Sequence, residues 1–310
     1  MTQFPIAAAI SSATKDAAEA ATRAIPAATR PPDDRPRVAV ISAFAPEIAL
    51  LESALEGAET RRIGPATYVT GVLEGRDVVL FLSGISMVNA AMTTQAALDH
   101  FNVTAILFSG IAGGVDPSLG IGDVVVAERW GHYLEGAFAR ETEQGYVLPA
   151  WMGAPVANYG MIHSRGVDVV PPGGSTPESR FWFDSDPALL EIARAAADGI
   201  ELQRCGRESA PPPRVVVGGN GVSGPVFMDN AGFRDHAFTC FEARVLDMES
   251  ASVAQVAYAN AVPFIAFRSL SDLAGGGDGE NEIAAFLSVA ATNSARLMRA
   301  VLARLPRAQA

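Results

Sequence analysis

The sequence predicts an α/β protein with a single domain, in which a central mixed, largely parallel twisted sheet is flanked by helices. Two observations predict this class. From Arg37 onward, apolar runs of strand length alternate with segments of helical periodicity. Several runs, such as VTAILFSGI (103–111), are continuously apolar, as is typical of strands that are covered on both faces.

The elements follow in order from these patterns. RVAVISAF (37–44) predicts the first strand, and Pro46 suits the start of the helix PEIALLESAL. The runs 77–85 and 103–111 predict the next two strands, with the helix SMVNAAMTTQAALDHF between them. Later strands are predicted at GDVVVAERW, RVVVGGNG, ARVLDM and VPFIAFRSL. A last helix places its apolar residues along one packing stripe: Ile283, Phe286, Leu287, Ala290, Leu297, Met298, Val301 and Leu302.

Two regions depart from this alternation. Residues 1–36 are rich in alanine and end in prolines, which predicts a flexible extension ahead of a domain that spans residues 37–305. The run FPIAAAI lacks a basic flank, which favours a cytoplasmic protein over a secreted or periplasmic one with a truncated signal. Residues 140–186 are rich in proline and glycine and include Trp151, Phe181, Trp182 and Phe183. They predict an irregular insertion that serves as a gate or an oligomer contact.

Charge and composition exclude several partners. The formal net charge of −11 argues against nucleic acid or an anionic membrane surface, because phosphate groups are bound by clustered Lys and Arg. A small nucleoside carries no phosphate and stays compatible with this charge. The two cysteines and four well-separated histidines give no metal-site spacing, so we expect neither a metal nor a cofactor. No apolar run has the length of a membrane-spanning helix.

Polar residues are concentrated where the predicted strands end. The carboxyl ends of parallel strands form one edge of the sheet, where ligands bind. Three carboxylates and one arginine are expected to meet there with small residues: Glu47, Ser83, Gly84, Ser109, Gly110, Ala112, Gly113, Gly114, Met248, Glu249, Arg268, Ser271 and Asp272. Singly, each acid has an ordinary explanation as a first-turn helix residue or a turn aspartate. Their common position favours a binding site.

The glycine-rich segment SGIAGGVDPSLGIGDVVV (109–126) contains neither GxGxxG nor a GxxxxGK[ST] phosphate loop. Its glycines fit either a structural loop or a close approach of the backbone to a sugar or base. The chain has no GxSxG motif, and no histidine has an obvious serine partner, so a hydrolase triad is not predicted.

Four segments carry a resemblance to a known family: SAFAPEIALL, FSGIAGGVDPSLGIGDVVV, VLDMESASVA and FRSLSDLAG. From about Val38 to Leu302, with a poor match over 140–210, the chain resembles the nucleoside phosphorylase and nucleosidase superfamily, most closely the 5′-methylthioadenosine/S-adenosylhomocysteine nucleosidases. The resemblance implies a three-layer sandwich of the nucleoside phosphorylase type. It also implies hydrolysis of the N-glycosidic bond of methylthioadenosine, adenosylhomocysteine or a related adenosine derivative, as in methionine salvage.

The resemblance implies roles for four catalytic residues. Breaking the bond builds positive charge on the ribose and negative charge on the base, so an acid must protonate the purine at N7. Asp272 matches this acid, with Ser271 orienting it, and burial is expected to raise its proton affinity despite the nearby Arg268. Glu47 matches the base that holds and deprotonates the attacking water, with Arg268 near that water.

The resemblance also implies a set of substrate-binding residues. Glu249 matches the glutamate that accepts hydrogen bonds from the ribose hydroxyls, and Met248 is expected to pack under the ribose. Phe227 matches the aromatic residue that stacks on adenine, with the backbone of Met228 at the edge of the base. The other expected substrate contacts are Ile85, Gly113, Ile111 and Phe44.

The chain departs from the family at two places. Ile111 stands where well-known members have a serine that contacts the water site, so Glu47 and Arg268 must hold the water without it. Phe44 and Ile283 fall where the family places other apolar residues near the 5′ substituent. The N-glycosidase chemistry therefore transfers better than the identity of the 5′ group.

Two other functions stay open at this point. Phosphorolysis is disfavoured because no Arg or Lys lies between Val38 and Thr60, and Glu47 would repel a phosphate there. A non-catalytic binding or storage protein would have no need of all three acids, although Ile111 keeps this function open; plant storage proteins resemble the chain through GIAGGVDPSLGIGD and NGVSGPVFMDN. The resemblance further implies a homo-oligomer, a dimer or larger, in which a neighbouring subunit closes the 5′ pocket.

Overall fold

The computed structural model describes residues 33–153, 155–204, 211–277 and 279–306. Its strands, numbered in chain order, are β1 (Asp33–Ser42), β2 (Glu56–Ile63), β3 (Ala66–Leu73), β4 (Arg76–Leu82), β5 (Phe101–Gly114), β6 (Val124–Val126), β7 (Arg129–His132), β8 (Gly136–Phe138), β9 (Arg140–Thr142), β10 (Gly145–Val147), β11 (Ile162–Ser164), β12 (Val167–Val169), β13 (Glu178–Arg180), β14 (Trp182–Asp184), β15 (Val215–Val217), β16 (Asn220–Ser223), β17 (Ala243–Asp247) and β18 (Phe264–Asp272). Its helices are α1 (Ala45–Ser53), α2 (Met87–His100), α3 (Pro187–Ala197), α4 (Ala231–Phe241), α5 (Ser250–Ala259) and α6 (Ile283–Arg304).

Twelve of the strands form one sheet. The main order is β14-β7-β16-β17-β5-β1-β4-β3-β2, and β18 pairs with both β5 and β6, while β15 pairs with β6. Strands β4, β1, β5 and β18 are parallel neighbours at the centre. Among the described strands, six pairings of this sheet are parallel and five are antiparallel. The predicted mixed sheet is confirmed.

Helices cover both faces of this sheet. Side chains alternate along a strand, so neighbouring residues of β1 belong to two different cores. Ala39 and Ile41 pack on one side with residues of α2 and α5. Val38 and Val40 pack on the other side with residues of α1, α3 and α6. The predicted three layers are therefore present, with the sheet in the middle.

The antiparallel strands β2 and β3 were not predicted. Strand β2 has the sequence EGAETRRI and is exposed along almost its whole length, so it lacks the apolar run by which the other strands are recognised. It pairs with β3, which in turn pairs with β4 at the end of the sheet. Hydrogen bonding to a neighbouring strand, and not burial, makes β2 a strand.

Helices α3 and α4 were also missed, although their start signals are in the sequence. The Asp186 carboxylate accepts hydrogen bonds from the backbone N–H groups of Ala188 and Leu189, as an N-cap does. Asn230 caps α4 in the same way, because its side chain accepts from the N–H of Phe233.

The two irregular regions of the sequence are only partly within the described residues. Residues 1–32 of the predicted extension lie outside them, whereas residues 33–36 begin β1, where Asp33 pairs with Phe101 of β5. Within residues 140–186, β9–β10 and β12–β13 form small ladders, and β14 joins the large sheet with Phe183 fully buried. No helix in the described ranges is long and apolar enough to cross a membrane.

The long central strands determine where polar residues meet. Strand β5 continues for 14 residues, and β18 runs parallel to it, with Arg268 opposite Gly110 and Asp272 opposite Gly113. Strand β17 approaches the same end of β5 from the opposite direction, so that Leu246 lies opposite Gly113. The ends of β1, β5, β17 and β18 therefore enclose one space.

Candidate active site

A cavity opens where these strands end. Eleven of the twelve residues predicted for the site line it: Phe44, Glu47, Ile85, Ile111, Gly113, Phe227, Met228, Met248, Glu249, Ser271 and Asp272. The wall is completed by Ala43, Ala112, Val226, Leu246, Asp247 and Ile283. Arg268, the twelfth, does not form part of the wall.

Glu47 lies in the first turn of α1, directly after β1, and only 2% of its surface is exposed. Its Oε2 accepts hydrogen bonds from the backbone N–H groups of Ala43 at 2.6 Å and Phe44 at 3.3 Å, and its Oε1 accepts from that of Ile111 at 2.8 Å. Burial raises the pKa of Glu47, against the opposing charge of Arg268. The carboxyl is thus fixed in direction and has an increased proton affinity.

Arg268 is fully buried behind the cavity wall. Its Nε lies 2.7 Å from Oδ2 of Asp247 and donates a hydrogen bond to Oγ of Ser250 at 3.0 Å. Its Cζ lies 4.0 Å from the centre of the Phe108 ring, a cation–π distance. Its Nη2 is 4.0 Å from Oε2 of Glu249. The arginine therefore lies behind the wall, paired with Asp247 and close to Glu249.

Glu249 precedes α5 and is buried. Its Oε1 accepts a hydrogen bond of 2.7 Å from the backbone N–H of Ser86, a residue with the unusual φ of 78°. Such strained backbone is tolerated where it orients a functional group. Burial and then the charge of Asp247 raise the pKa of Glu249 to about 7, although Arg268 and the Ser86 N–H oppose the rise. Its protonation therefore changes near neutral pH.

Asp272 is the last residue of β18 and is also buried. Its Oδ2 accepts a hydrogen bond from Oγ of Ser271 at 2.9 Å, and its Oδ1 accepts from the N–H of Ala274 at 2.8 Å. Burial raises the pKa of Asp272, and these hydrogen bonds oppose the rise. A carboxyl of this kind is suited to holding a proton inside the cavity.

The turn after Asp272 requires glycine. Gly275 has a φ of 85°, and a Cβ there would lie 2.4 Å from the backbone N of Asn230. This close approach joins the loop after β18 to the segment that carries Phe227 and Met228. Phe227 is 55% exposed at the cavity mouth, where Ile85 is 51% exposed.

Asp247 is a functional candidate that the sequence analysis missed. It is the last residue of β17, it lines the cavity, and it accepts hydrogen bonds from the hydroxyls of Ser223 and Ser250. The backbone N–H groups of Glu249 and Ser250 also point to its Oδ1, each at 3.2 Å. The signal was its place as the final strand residue of ARVLD, directly before Met248 and Glu249.

In the described part of the chain, no group of three or more acidic, His or Cys side chains is placed to hold a metal ion.

Gly110 provides the space in which Arg268 and Glu47 meet. A Cβ built on Gly110 would lie 1.8 Å from Nη1 of Arg268 and 2.8 Å from Oε1 of Glu47. We predict that Gly110→Ala displaces the guanidinium and lowers the free energy of unfolding by about 1–3 kcal/mol, as overpacking does in a closed core. Urea unfolding measures this change.

Gly120→Ala is the matched control, because a Cβ at Gly120 has no other atom within 4 Å. It is expected to leave stability unchanged or slightly raised, since alanine restricts the unfolded chain. Equal stabilities for the two variants would show that the space at Gly110 is not needed.

Comparisons with known proteins show which family this chain belongs to. The family model described as "Phosphorylase superfamily" matches residues 37–303. The 5′-methylthioadenosine/S-adenosylhomocysteine nucleosidase of Halalkalibacterium halodurans is 30% identical over 270 residues, covering 87% of this chain and 99% of the relative. That of Lysinibacillus sphaericus is 31% identical over 274 residues, covering 87% and 100%.

Solved structures show the same relationship. The crystal structure of the nucleosidase of this name from Neisseria meningitidis, in complex with methylthio-immucillin-A, is 29% identical, has a TM-score of 0.67, and covers 87% of this chain and 99% of its own. The resemblance found in the sequence is therefore confirmed. The chain belongs to the phosphorylase superfamily and, within it, to the family of the 5′-methylthioadenosine/S-adenosylhomocysteine nucleosidases.

Proposed function

We propose that the protein hydrolyses the N-glycosidic bond of 5′-methylthioadenosine, S-adenosylhomocysteine or a related adenosine derivative, releasing adenine and the ribose moiety. One observation carries this proposal. Three buried carboxyls with raised pKa, Glu47, Glu249 and Asp272, line one cavity that is otherwise mostly apolar. Hydrolysis of such a bond needs a base, a group that stabilises a cationic sugar, and an acid, which are three separate tasks for carboxyls.

Asp272 is assigned as the acid. Burial raises its pKa and so favours the protonated form, and the Ser271 hydroxyl at 2.9 Å fixes the orientation of its carboxyl. The proton passes to N7 of the purine as the bond to the ribose breaks, which makes the base a better leaving group. Phe227 at the cavity mouth offers an aromatic face on which the purine stacks.

Glu249 is assigned as the residue that binds the ribose, and Glu47 as the base that activates the attacking water. An ionised Glu249 accepts hydrogen bonds from the ribose hydroxyls and favours the positive charge that develops on the ring. Glu47 takes a proton from the attacking water, and its raised pKa strengthens it as a base. The apolar residues Phe44, Ile85 and Ile283 leave room for an uncharged 5′ substituent such as methylthio.

Water is favoured over phosphate as the second substrate. None of the described residues that line the cavity is a lysine or arginine, and four of them are acidic: Glu47, Asp247, Glu249 and Asp272. A phosphate dianion entering this space would be repelled by ionised carboxylates and would lack a basic partner in the wall.

The proposal includes a homo-oligomer. Ile85, which lines the cavity, is 51% exposed, and Val88 and Met92 in the first half of α2 are 78% and 49% exposed. Apolar groups clustered at the opening of a pocket suit a contact with a second subunit. Such a contact would also cover the place where the 5′ substituent emerges.

The choice between water and phosphate gives a direct test. Incubation with methylthioadenosine in phosphate-free buffer is expected to release adenine and 5-methylthioribose, both quantified by chromatography. Inosine, which has a different purine base, is the comparison substrate that tests selectivity for adenine. Strict dependence on phosphate, with a ribose 1-phosphate product, would replace hydrolysis by phosphorolysis.

The role of Asp272 gives a second test. Asp272→Asn is nearly isosteric but cannot deliver a proton, so turnover of methylthioadenosine should fall by about 10²–10⁴-fold, the usual value of general acid catalysis. A p-nitrophenyl riboside has a good leaving group and should be affected much less. If both substrates slow equally, or neither does, Asp272 is not the acid, provided that a melting curve shows an intact fold.

A further inference from the structure

We infer that Asp247 is a positioning residue of this site: it holds Arg268 by one edge of the guanidinium, so that the opposite edge faces Glu47 and Glu249. The catalytic importance of this contact rests on the proposed function, but the contact itself does not depend on which substrate binds. Asp247, at the end of β17, would then determine how close the guanidinium of Arg268 lies to each carboxylate. Arg268 is the only buried cation among the described residues of the site.

Asp247 and Arg268 are in direct contact. Oδ2 of Asp247 lies 2.7 Å from Nε of Arg268, and both Asp247 oxygens have further donors: the Ser223 hydroxyl, the Ser250 hydroxyl at 2.5 Å and two backbone N–H groups. Ser250 Oγ also accepts from Nε of Arg268 at 3.0 Å. Asp247 is therefore fixed on several sides, and Arg268 is fixed against it.

The second step is the free edge of the guanidinium. Within the described residues, Nη1 and Nη2 of Arg268 are buried without a hydrogen-bond partner. Nη2 is 4.0 Å from Oε2 of Glu249, and Nη1 occupies the space beside Gly110, next to Oε1 of Glu47. Phe108 covers the flat face at 4.0 Å. These two donors thus lie on the side of the guanidinium that is close to the two carboxyls.

The third step is the balance of charge around Glu249. Glu47 faces it from α1, Asp247 from β17 and Arg268 from β18. At the end of β7 and directly after it, burial lowers the pKa of His132 to about 4 and raises that of Tyr133, so both are neutral near pH 7. Asp247 is the second-largest cause of the raised pKa of Glu249, after burial. Removing the charge of Asp247 should therefore lower the pKa of Glu249.

A simpler role for Asp247 is helix capping, since it accepts from N–H groups at the start of α5. The chain offers a matched control for that role. Asp186 caps α3 through the N–H groups of Ala188 at 2.9 Å and Leu189 at 3.0 Å, outside the cavity wall. Asp186→Asn makes the same chemical change at a cap without touching Arg268.

The test is a pH titration of the whole protein labelled with ¹³C at the glutamate carboxyls, followed by NMR. The resonance that disappears in Glu249→Gln identifies Glu249. In the wild type we expect its midpoint near pH 7, as the pKa of about 7 indicates. In Asp247→Asn it should move to lower pH by about one pH unit or more, the usual effect of one close charge. Asp186→Asn should leave it unmoved, and an unmoved midpoint in Asp247→Asn would overturn the inference.

Kinetics give a second measurement with a separate outcome. The acid limb of the pH profile of kcat/KM reports groups of the free enzyme, and it should shift to lower pH in Asp247→Asn together with the NMR midpoint. A wild type that releases no adenine would overturn the proposed function and leave the NMR result standing. If the acid limb of the kcat/KM profile stays in place while the NMR midpoint moves, the pKa of Glu249 does not control turnover.

Asp247→Glu covers the case in which Asp247→Asn does not fold. It keeps the negative charge but extends the side chain by one methylene, so the guanidinium must move while the pKa of Glu249 stays raised. Turnover at pH 8 should fall by about 10²-fold, as misplaced catalytic groups do, with the acid limb unchanged. Unchanged turnover would show that the place of Arg268 does not depend on Asp247.

Discussion

The buried ion pair between Arg268 and Asp247 is the interaction on which the site depends. A charge that is taken out of water is costly unless it is paired and hydrogen-bonded. Arg268 is fully buried in the middle of the central strand β18, and Asp247 lies 2.7 Å from it on a strand on the other side of β5. Gly110 leaves the space that the guanidinium occupies. The fold therefore brings three strands together around one cation.

This arrangement gives the carboxyls of one cavity different environments. Glu47 accepts three backbone hydrogen bonds, and the positive charge of Arg268 opposes the rise of its pKa. Glu249 has Asp247 as a negative neighbour, whereas burial raises the pKa of Asp272 against the hydrogen bonds from the Ala274 N–H and the Ser271 hydroxyl. Groups of the same chemical type can then act as base, stabiliser and acid, because their surroundings and not their side chains differ.

Much of this could be predicted from the sequence, for identifiable reasons. The central strands are continuous apolar runs, and the polar residues that follow them had to share one edge of the sheet. Strand β2 could not be predicted, because its polar sequence shows neither alternation nor an apolar run. The place of Arg268 behind the wall depends on the register of Gly110 opposite it, which no local pattern contains. Asp247 was missed because its importance lies in a contact with a residue 21 positions later in the chain.

The central claim is that one buried arginine does not neutralise all the carboxyls near it, so that Glu249 keeps a proton until about neutral pH. The most direct measurement is the free energy of unfolding of the wild type and of Glu249→Gln between pH 5 and pH 8. Because the pKa of Glu249 rises from 4.5 to about 7 on folding, the native protein holds a proton that the unfolded chain has released, and stability falls as pH rises through this window. We predict that the wild type loses about 2–3 kcal/mol relative to Glu249→Gln, from 1.36 kcal/mol for each unit of pKa. Parallel curves for the two proteins would contradict the claim.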